Sequence, residues 1–332
     1  FYGIWRYIRP AAPVRRVNFD AFGFITLSLA IGSLQMLLDR GEQNDWFASG
    51  ETWIEAVLLA LSLSYFVAHT ALRPAGQSFL DYRLLKNANY VTGLFLIFTV
   101  GMVLFATRAL MPTMLQGLMG YPAAVAGMVT APSGLGTMLA MLVVGRVTGK
   151  VDFRLLLGAG FAITAFSLWQ MAQYTLVLSR SDIVWPGVIQ GIGLGLVFVP
   201  LSAATFATLS PQMRAEGTAL YSLIRNIGSS IGIALVQTLL VRNTSTMHAS
   251  LAGQVHAANP ALLDPAGGYN LATAAGAALV NNEITRQASM IAYTNDYWLM
   301  MILTAAVIPA LLLIRPPKAQ AAPSAVDHAA LD

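Results

Sequence analysis

The chain has 332 residues, of which 56% are hydrophobic and only 10% are charged, and its formal net charge is +4 at pH 7. So few charged residues cannot cover a water-soluble protein of this length, which excludes a large soluble helical protein. The chain has no Cys, which excludes disulfides and thiolate metal sites. Its four His lack the spacing of a zinc or nucleophile motif, so we expect no metal and no cofactor.

Eight mostly apolar stretches follow one another along the chain. Each is close to the length of about 20 residues that a helix needs to cross the hydrocarbon core of a bilayer. The sequence therefore predicts an all-α polytopic membrane protein with eight transmembrane helices. The predicted spans cover residues 21–38, 53–72, 90–116, 123–147, 155–172, 183–209, 219–241 and 298–314.

Basic residues give these spans an orientation, because Lys and Arg beside short loops stay on the cytoplasmic side of a membrane. With a cytoplasmic N-terminus, 13 of the 19 basic residues fall on inner segments, four on outer segments and two inside spans. We therefore predict a bacterial inner-membrane protein with both ends of the chain in the cytoplasm. The basic residues are scattered over the loops and form no patch with stacking aromatics, so no nucleic-acid partner is expected.

Composition shifts divide the chain into segments with different expected roles. The tail is rich in Ala and Pro and is predicted to be disordered. The predicted organisation, in chain order, is a cytoplasmic loop (1–20), two linker spans (21–72), a cytoplasmic loop (73–88), a six-span bundle (89–315) with a periplasmic segment (242–292), and a cytoplasmic tail (316–332).

The predicted periplasmic segment contains turn signals at 259–260 and 264–268 and a short apolar piece at 271–280. That piece is too short to span a bilayer. It is predicted to form an amphipathic outer helix, with a re-entrant turn as the alternative.

Glycine and proline within the spans indicate close packing and local unwinding. Gly187, Gly191 and Gly195 recur at four-residue spacing, which lets helices approach closely, and Gly228 and Gly232 repeat the pattern in the next span. Proline removes a backbone hydrogen bond from a helix, so kinks are expected at Pro112, Pro132, Pro200 and Pro309. Both residue types are also common in any membrane helix, so a bundle that changes conformation is only one interpretation.

Ionisable groups inside a membrane are costly and are therefore candidates for function. Arg108 is predicted to face a water-filled cavity or an acidic substrate group, or alternatively to extend towards the outer interface. Arg225 is predicted to hold a gate or a helix contact. The polar side chains of Gln116, Gln190 and Asn226 are candidates for lining a substrate cavity or for bonding a neighbouring helix.

Acidic residues are absent from the centres of the predicted spans. Asp20, Asp39, Glu55 and Asp296 all lie near the ends of spans. A proton-coupled transporter normally needs a titratable group within the membrane. The sequence therefore predicts that any proton-coupling residue lies outside this chain.

Residues 145–154, with the sequence GRVTGKVDFR, resemble the inner-loop motif of the major facilitator superfamily in its C-terminal copy. In that superfamily the Gly permits a tight turn, and the Asp and Arg latch neighbouring helix ends in one conformational state. The resemblance implies a turn at Gly145–Arg146 and latch roles for Asp152 and Arg154. With Arg225 and Glu216, these residues are the gating or structural candidates.

Residues 211–232, which include Glu216 and the run LIRNIGSSIG, resemble the penultimate span of fourteen-span drug:proton antiporters of the EmrB/QacA type. The passages 19–23 and 32–47 resemble the two extra spans of those transporters. The resemblance implies two linker spans followed by a six-helix major-facilitator C-terminal bundle, which are spans seven to fourteen. The acidic residue that such antiporters use for proton coupling lies in the preceding spans.

The resemblance implies a proton-coupled secondary transporter that exports drugs or other amphipathic small molecules by alternating access. Its partners would be the small-molecule substrate, protons, the lipid bilayer, a periplasmic adaptor protein and an outer-membrane channel. Met114 and Phe198 are predicted to add adaptable apolar contacts to a cavity formed by the third, fourth, sixth and seventh spans. The alternative is a non-transporting membrane scaffold or sensor with the same fold. An enzyme is not expected, because no span carries a paired carboxylate, a His cluster or a Ser–His arrangement.

Overall fold

The structure is a computed structural model that describes residues 20–74, 78–147, 150–255, 271 and 273–314. Nine α-helices follow one another in these ranges, with short 3-10 turns between some of them. They are α1 (Ala21–Arg40), α2 (Gly50–Leu72), α3 (Ala88–Gly117), α4 (Ala123–Thr130), α5 (Pro132–Val147), α6 (Phe153–Met171), α7 (Arg180–Phe206), α8 (Arg214–Ala252) and α9 (Ala274–Val307).

These helices provide eight segments long and apolar enough to cross a membrane, with α4 and α5 together forming the fourth. The predicted count of eight spans and the all-α class are confirmed. Some predictions concern residues outside those described, namely the terminal loop and tail, the turn signals at 259–260 and 264–268, and positions 148–149 of the inner-loop motif.

The outward faces of the helices are apolar and several inward faces are polar, the reverse of a soluble protein. On α2 the buried residues include Thr52, Glu55, Ser62 and Thr70, whereas Ile54 is 69% exposed. These buried positions recur at three-, seven- and eight-residue spacing and therefore share one face of the helix. That arrangement suits a helix whose outer surface meets lipid, where apolar side chains need no partner.

Polar side chains at the helix starts accept hydrogen bonds from backbone amides that have no partner within the helix. Asp20 caps α1 by accepting from the Gly23 amide at 3.1 Å, and Asn87 caps α3 by accepting from the Tyr90 amide at 3.1 Å. At the start of α7, Ser179 and Asp182 bond each other's backbone amides in a capping box. Local sequence therefore fixes where these helices begin.

Of the four prolines expected to disturb the spans, Pro132 has the largest effect. It starts α5 directly after Ala131, so the fourth span is divided into two helices. Pro309 lies in the 3-10 turn Ile308–Leu313 that follows α9. Pro112 and Pro200 lie inside the continuous helices α3 and α7.

The helices pack most closely at positions where one of them carries a glycine. A Cβ atom added at Gly191 of α7 would lie 2.0 Å from the Ser133 carbonyl oxygen of α5, and one at Gly195 would lie 2.6 Å from the Ala140 Cβ. On α8, a Cβ at Gly228 would lie 2.3 Å from the Phe98 carbonyl oxygen of α3. The predicted close approach at these small residues is confirmed for the α5–α7 and α3–α8 pairs.

Helices α3 and α5 to α9 form one bundle, while α1 and α2 pack mainly on each other. The hairpin of α1 and α2 meets the bundle through α8, where the Ser230 hydroxyl donates to the Gln35 side-chain oxygen at 2.5 Å. Two apolar clusters fill the bundle. One surrounds Tyr90, Leu201 and Leu311, and the other surrounds Met114, Met171 and Tyr297.

Helices α8 and α9 are much longer than the spans predicted for them. The 39 residues of α8 correspond to about 58 Å of helix, roughly twice the hydrocarbon thickness of a bilayer. Residues 274–280, predicted to form a separate outer helix, are the first turns of α9. The predicted last span, 298–314, therefore consists of the end of a helix that begins 24 residues earlier and the 3-10 turn that follows it.

Candidate substrate cavity

A cavity of about 370 Å³ lies between α3, the α4–α5 break, the end of α6 and the first half of α7. Its walls combine apolar side chains with a small number of polar groups, the usual composition of a small-molecule site. The lining residues are Thr107, Arg108, Met111, Pro112, Val129, Thr130, Ala131, Ser133, Gly134, Met171, Ile183, Gly187 and Gln190.

Gln190 and Thr107 join two walls of the cavity. Gln190 is 6% exposed, and its side-chain amide donates to the Thr107 hydroxyl oxygen at 3.3 Å. The Thr107 hydroxyl in turn donates to the Val103 carbonyl oxygen at 2.8 Å, within α3. A buried polar group is tolerated when it is hydrogen-bonded, so this pair fixes α7 against α3 at the cavity wall.

Arg108 is the one charged side chain among the residues that line the cavity. It is exposed and makes no hydrogen bond or ion pair within the part of the chain that the structure describes. Of the two alternatives given for Arg108, the structure places it at a cavity. Its guanidinium is free to bind a carboxylate or phosphate, which it recognises with paired hydrogen bonds.

The break between α4 and α5 forms one side of the cavity. The hydroxyl of Thr130 donates to the Ala126 carbonyl oxygen at 2.9 Å, and that of Ser133 donates to the Thr130 carbonyl oxygen at 2.8 Å. Hydroxyl groups thus satisfy backbone carbonyls near the point where the helix is interrupted. Discontinuous helices of this kind line the substrate sites of many transporters.

The other predicted cavity residues lie elsewhere. Gln116 is exposed in the last turn of α3, and Asn226 is exposed on α8; neither lines the cavity. Met114 is fully buried in the apolar cluster around Tyr297, and Phe198 packs against the cluster around Tyr90. The fifth span contributes Met171 to the cavity lining, and the seventh span contributes none of the lining residues. Hydropathy along the sequence does not predict which spans line the cavity.

Arg225 lies where α8 meets α3. A Cβ added at Gly101 of α3 would lie 2.3 Å from the Arg225 carbonyl oxygen, so the two backbones touch at this point. The Arg225 Nε is buried and has no hydrogen-bond partner among the described residues. The structure thus places Arg225 at a helix contact, and its gating role stays a prediction.

The inner-loop motif connects α6 with the end of the last span. Asp152 caps α6 by accepting from the Arg154 amide at 2.9 Å. The Arg154 guanidinium donates from Nε to the Ile314 carbonyl oxygen at 2.8 Å, and its Nη2 bonds the same oxygen. The turn predicted at Gly145 and Arg146 is wrong, because both residues are helical and lie on the exposed face at the end of α5. Among the residues of the motif that the structure describes, Arg154 is the one whose hydrogen bonds join two spans.

Glu216 joins the start of α8 to the segment before α3. Its carboxylate accepts a hydrogen bond from the Asp81 backbone amide at 3.3 Å. Nearby, the Tyr90 hydroxyl donates to the Gly217 carbonyl oxygen at 2.7 Å. These bonds hold α3 and α8 together at the end where both chain segments enter the bundle.

Two buried carboxyl groups were not among the predicted site residues. Asp296 of α9 is 1% exposed and Glu55 of α2 is 7% exposed, and neither has a hydrogen-bond partner for either oxygen among the described residues. The hydropathy pattern places both at the ends of spans. Only the longer helix and its packing show that Asp296 is enclosed by protein.

Secondary membrane transporters share this arrangement of apolar helices around a cavity beside an interrupted span. The chain belongs to the Major Facilitator Superfamily, which it matches over residues 16–233. It is a multi-pass membrane protein.

Two similar proteins carry names that describe export or resistance. The chain is 29% identical over 320 residues to the fatty acid resistance protein FarB of Neisseria gonorrhoeae, covering 94% of this chain and 62% of FarB. It is 28% identical over 306 residues to the multidrug export protein EmrB of Escherichia coli K12, covering 91% of this chain and 59% of EmrB. The chain therefore spans about three fifths of the length of these relatives.

The fold is similar to that of a bacterial homologue of the human lysosomal transporter Spinster in an inward-facing, occupied conformation. The TM-score is 0.50 at 16% sequence identity, and the match covers 87% of this chain and 67% of that one. At this identity the likeness concerns the fold alone.

Proposed function

We propose that this chain is part of a proton-coupled secondary transporter that exports drugs or other amphipathic small molecules by alternating access. In that mechanism, helical bundles rock about a site near the middle of the bilayer. Family membership and the similarity to FarB and EmrB support an exporter. The observation that carries the proposal is the cavity beside the α4–α5 break, because it has polar and apolar walls and an unpaired cation.

The chemistry of the cavity favours a substrate with an apolar body and an acidic group. Met111, Met171 and Ile183 offer adaptable apolar contacts, and Arg108 offers a charged donor that has no ion-pair partner among the described residues. A hydrophobic cation would meet like charge at this position. An amphipathic carboxylate fits, and the name of the relative FarB concerns fatty acids.

Efflux from cells tests this function. Cells expressing the complete open reading frame that encodes this chain would be loaded with a fluorescently labelled fatty acid or with ethidium, with and without a proton gradient. We expect gradient-dependent efflux of the fatty acid to fall at least about tenfold in Arg108→Gln, a loss of roughly 1.4 kcal/mol of transition-state binding. The matched control is Arg180→Gln, since Arg180 is exposed at the start of α7 and does not line the cavity.

The efflux results distinguish an exporter of acidic substrates from another exporter and from a protein that does not transport. Efflux of ethidium alone, unaffected by Arg108→Gln, would contradict the acidic-substrate proposal while supporting an exporter. No efflux of either probe by well-expressed protein would contradict the transporter proposal and favour a scaffold or sensor with the same fold.

We also propose an inner-membrane location with both ends of the chain in the cytoplasm and an adaptor contact on the opposite side. The parts of α8 and α9 within 242–292 extend the bundle beyond a bilayer's thickness, and their exposed polar residues include Glu283 and Arg286. The resemblance to EmrB supports a periplasmic adaptor and an outer-membrane channel as partners. A photo-cross-linker at position 284 that captures no co-expressed adaptor would contradict this contact.

A further inference from the structure

The Asp296 carboxyl group is buried where no described hydrogen bond or ion pair would stabilise a negative charge on it. Its side chain is 1% exposed, and neither carboxyl oxygen has a hydrogen-bond partner among the described residues. None of the four ion pairs found in the described part of the chain includes it. An ionised carboxylate in such surroundings is costly, so the site favours the neutral acid.

The neighbours of Asp296 on its own helix are aromatic. Tyr293 and Tyr297 are both buried and lie close enough to interact electrostatically with the carboxyl group. Tyr174, in the loop between α6 and α7, meets the Tyr297 ring edge-on with 5.9 Å between ring centroids. Burial, and the nearby Asp182 carboxylate, raise the pKa of Tyr174, so its hydroxyl stays neutral and able to donate.

The following charged groups on the elements packed against α9 lie away from Asp296. Arg108 of α3 faces the cavity, and Arg154 lies at the far end of α6. On α8, His248 faces α9 but contacts Asn281 at 3.0 Å, about 22 Å along the helix from Asp296. Arg225 of α8 lies against α3, and the 3-10 turn after α9 carries no titratable side chain. Among the described residues, no cation forms an ion pair with Asp296.

A short path of contacts connects Asp296 with the cavity. The Tyr297 hydroxyl donates to the Met111 sulfur at 3.9 Å, and Met111 lines the cavity. Met171, a second cavity residue, lies in the same apolar cluster as Tyr174 and Tyr297. A change in the cavity that moves Met111 or Met171 would therefore change the packing around the carboxyl group.

We propose that Asp296 is a proton-binding site coupled to the cavity. It takes a proton from water, holds it while the bundle has the conformation seen here, and returns it to water when α9 moves against α3 and α6. The transport role of this site rests on the proposed function. Sequence alone predicted no proton-coupling residue among these spans, whereas the burial of Asp296 on α9 makes it a candidate.

Glu55 provides a matched control. Both of its carboxyl oxygens are also buried without a hydrogen-bond partner in the described residues. It belongs to the hairpin of α1 and α2, which contacts the bundle through α8 and does not line the cavity. A general effect of removing any buried carboxyl group would appear equally in Glu55→Gln and Asp296→Asn.

Infrared spectroscopy of the purified protein in lipid, comparing the wild type with variants, tests directly whether the Asp296 carboxyl group carries a proton. We expect a carbonyl stretching band of a protonated carboxylic acid at neutral pH. The Asp296→Asn variant should lose a component of that band that Glu55→Gln retains, and Asp296→Glu should keep it at a shifted frequency. An unchanged band in both Asp296→Asn and Asp296→Glu would overturn the proposal.

Transport then tests the coupling in the complete open reading frame, with a labelled fatty acid as the probe. Asp296→Asn should reduce gradient-driven efflux to the rate without a gradient while leaving gradient-independent exchange intact, and Glu55→Gln should leave both intact. Loss of exchange as well, or no loss of either, would overturn the coupling role. If the wild type moves no probe while its band depends on Asp296, the proton site stands and the proposed function fails.

Discussion

At the scale of single residues, Asp20 shows how one carboxylate organises a helix junction. Its oxygens accept from the Gly23 amide at 3.1 Å and the Phe79 amide at 3.0 Å, and contact His69 at 3.0 Å and Arg73 at 3.3 Å. The hairpin of α1 and α2 is thereby attached to the segment that leads into α3. Burial raises the pKa of Asp20, but the bonds from Gly23, His69 and Phe79 outweigh it and hold the pKa below its ordinary value of 3.8.

Removing this charge should destabilise the junction. Because the folded-state pKa is depressed, the contribution of Asp20 is fully present above pH 3.8 and is lost as the pH falls through the lower folded value. We expect Asp20→Asn to cost about 1–3 kcal/mol near neutral pH, since it weakens the bonds that the carboxylate accepts from the Gly23 and Phe79 amides and its contacts with His69 and Arg73. Heating the purified protein and measuring the folded fraction by size-exclusion chromatography at several pH values checks this.

The control for Asp20→Asn is Asp39→Asn, because Asp39 is exposed at the end of α1 and, among the described residues, its side chain forms hydrogen bonds with the Gln35 side chain alone. The gap in stability between wild type and Asp20→Asn should narrow on acidification. A gap that stays constant down to the most acidic pH at which the protein folds would contradict an electrostatic role.

The residue type alone made Arg108 and Gln190 candidates for a substrate cavity. Polar side chains are costly in apolar spans, so these two were predicted to have a role, and both line the cavity. The same reasoning predicted roles for Gln116 and Asn226, which are exposed and do not line this cavity. Helical position relative to the neighbouring spans separates the two pairs, and a single sequence does not contain that information.

At the scale of helices, packing distance is set by small residues. Helix α7 presents Gly191 and Gly195 to α5 and the opposite residue Gly193 to α6, where an added Cβ would lie 2.4 Å from the Thr164 hydroxyl oxygen. Without a hydrophobic driving force between helices in lipid, such contacts gain their energy from close van der Waals approach. Both faces of α7 are therefore intolerant of larger side chains.

A matched pair of substitutions on α7 tests this. Gly191→Ala should destabilise the protein by about 1–3 kcal/mol, because the new methyl group would meet the Ser133 backbone and push α7 from α5. Gly187→Ala, one turn earlier, should be nearly neutral because its Cβ would lie 3.7 Å from the Ser133 Cβ. Retention of folded protein after heating compares the two, and equal stability would show that the α5–α7 contact adapts.

At the scale of the whole molecule, eight spans and the distribution of basic residues define which loops share a side. The segment between α6 and α7 is predicted to face outward and the one between α7 and α8 to face the cytoplasm. Val177 in the first segment is 90% exposed, and Ser210 in the second is also exposed. The chain has no Cys, so a single introduced cysteine reports one position without further changes.

Labelling of intact cells with a membrane-impermeant maleimide tests the orientation. We expect Val177→Cys to react in intact cells and Ser210→Cys to react only after permeabilisation. The reverse pattern would invert the orientation. Reaction of both from the outside would show that α7 does not cross the membrane.

The sequence by itself determined the number of spans, most helix starts and the family resemblance. These depend on apolar composition, capping side chains and loop motifs, which are local properties. The tertiary structure decided which side chains share the cavity, that α9 begins at Ala274, and that Asp296 is enclosed. These depend on how helices far apart in sequence rotate and pack, and in lipid that packing follows shape and polar contacts more than hydropathy.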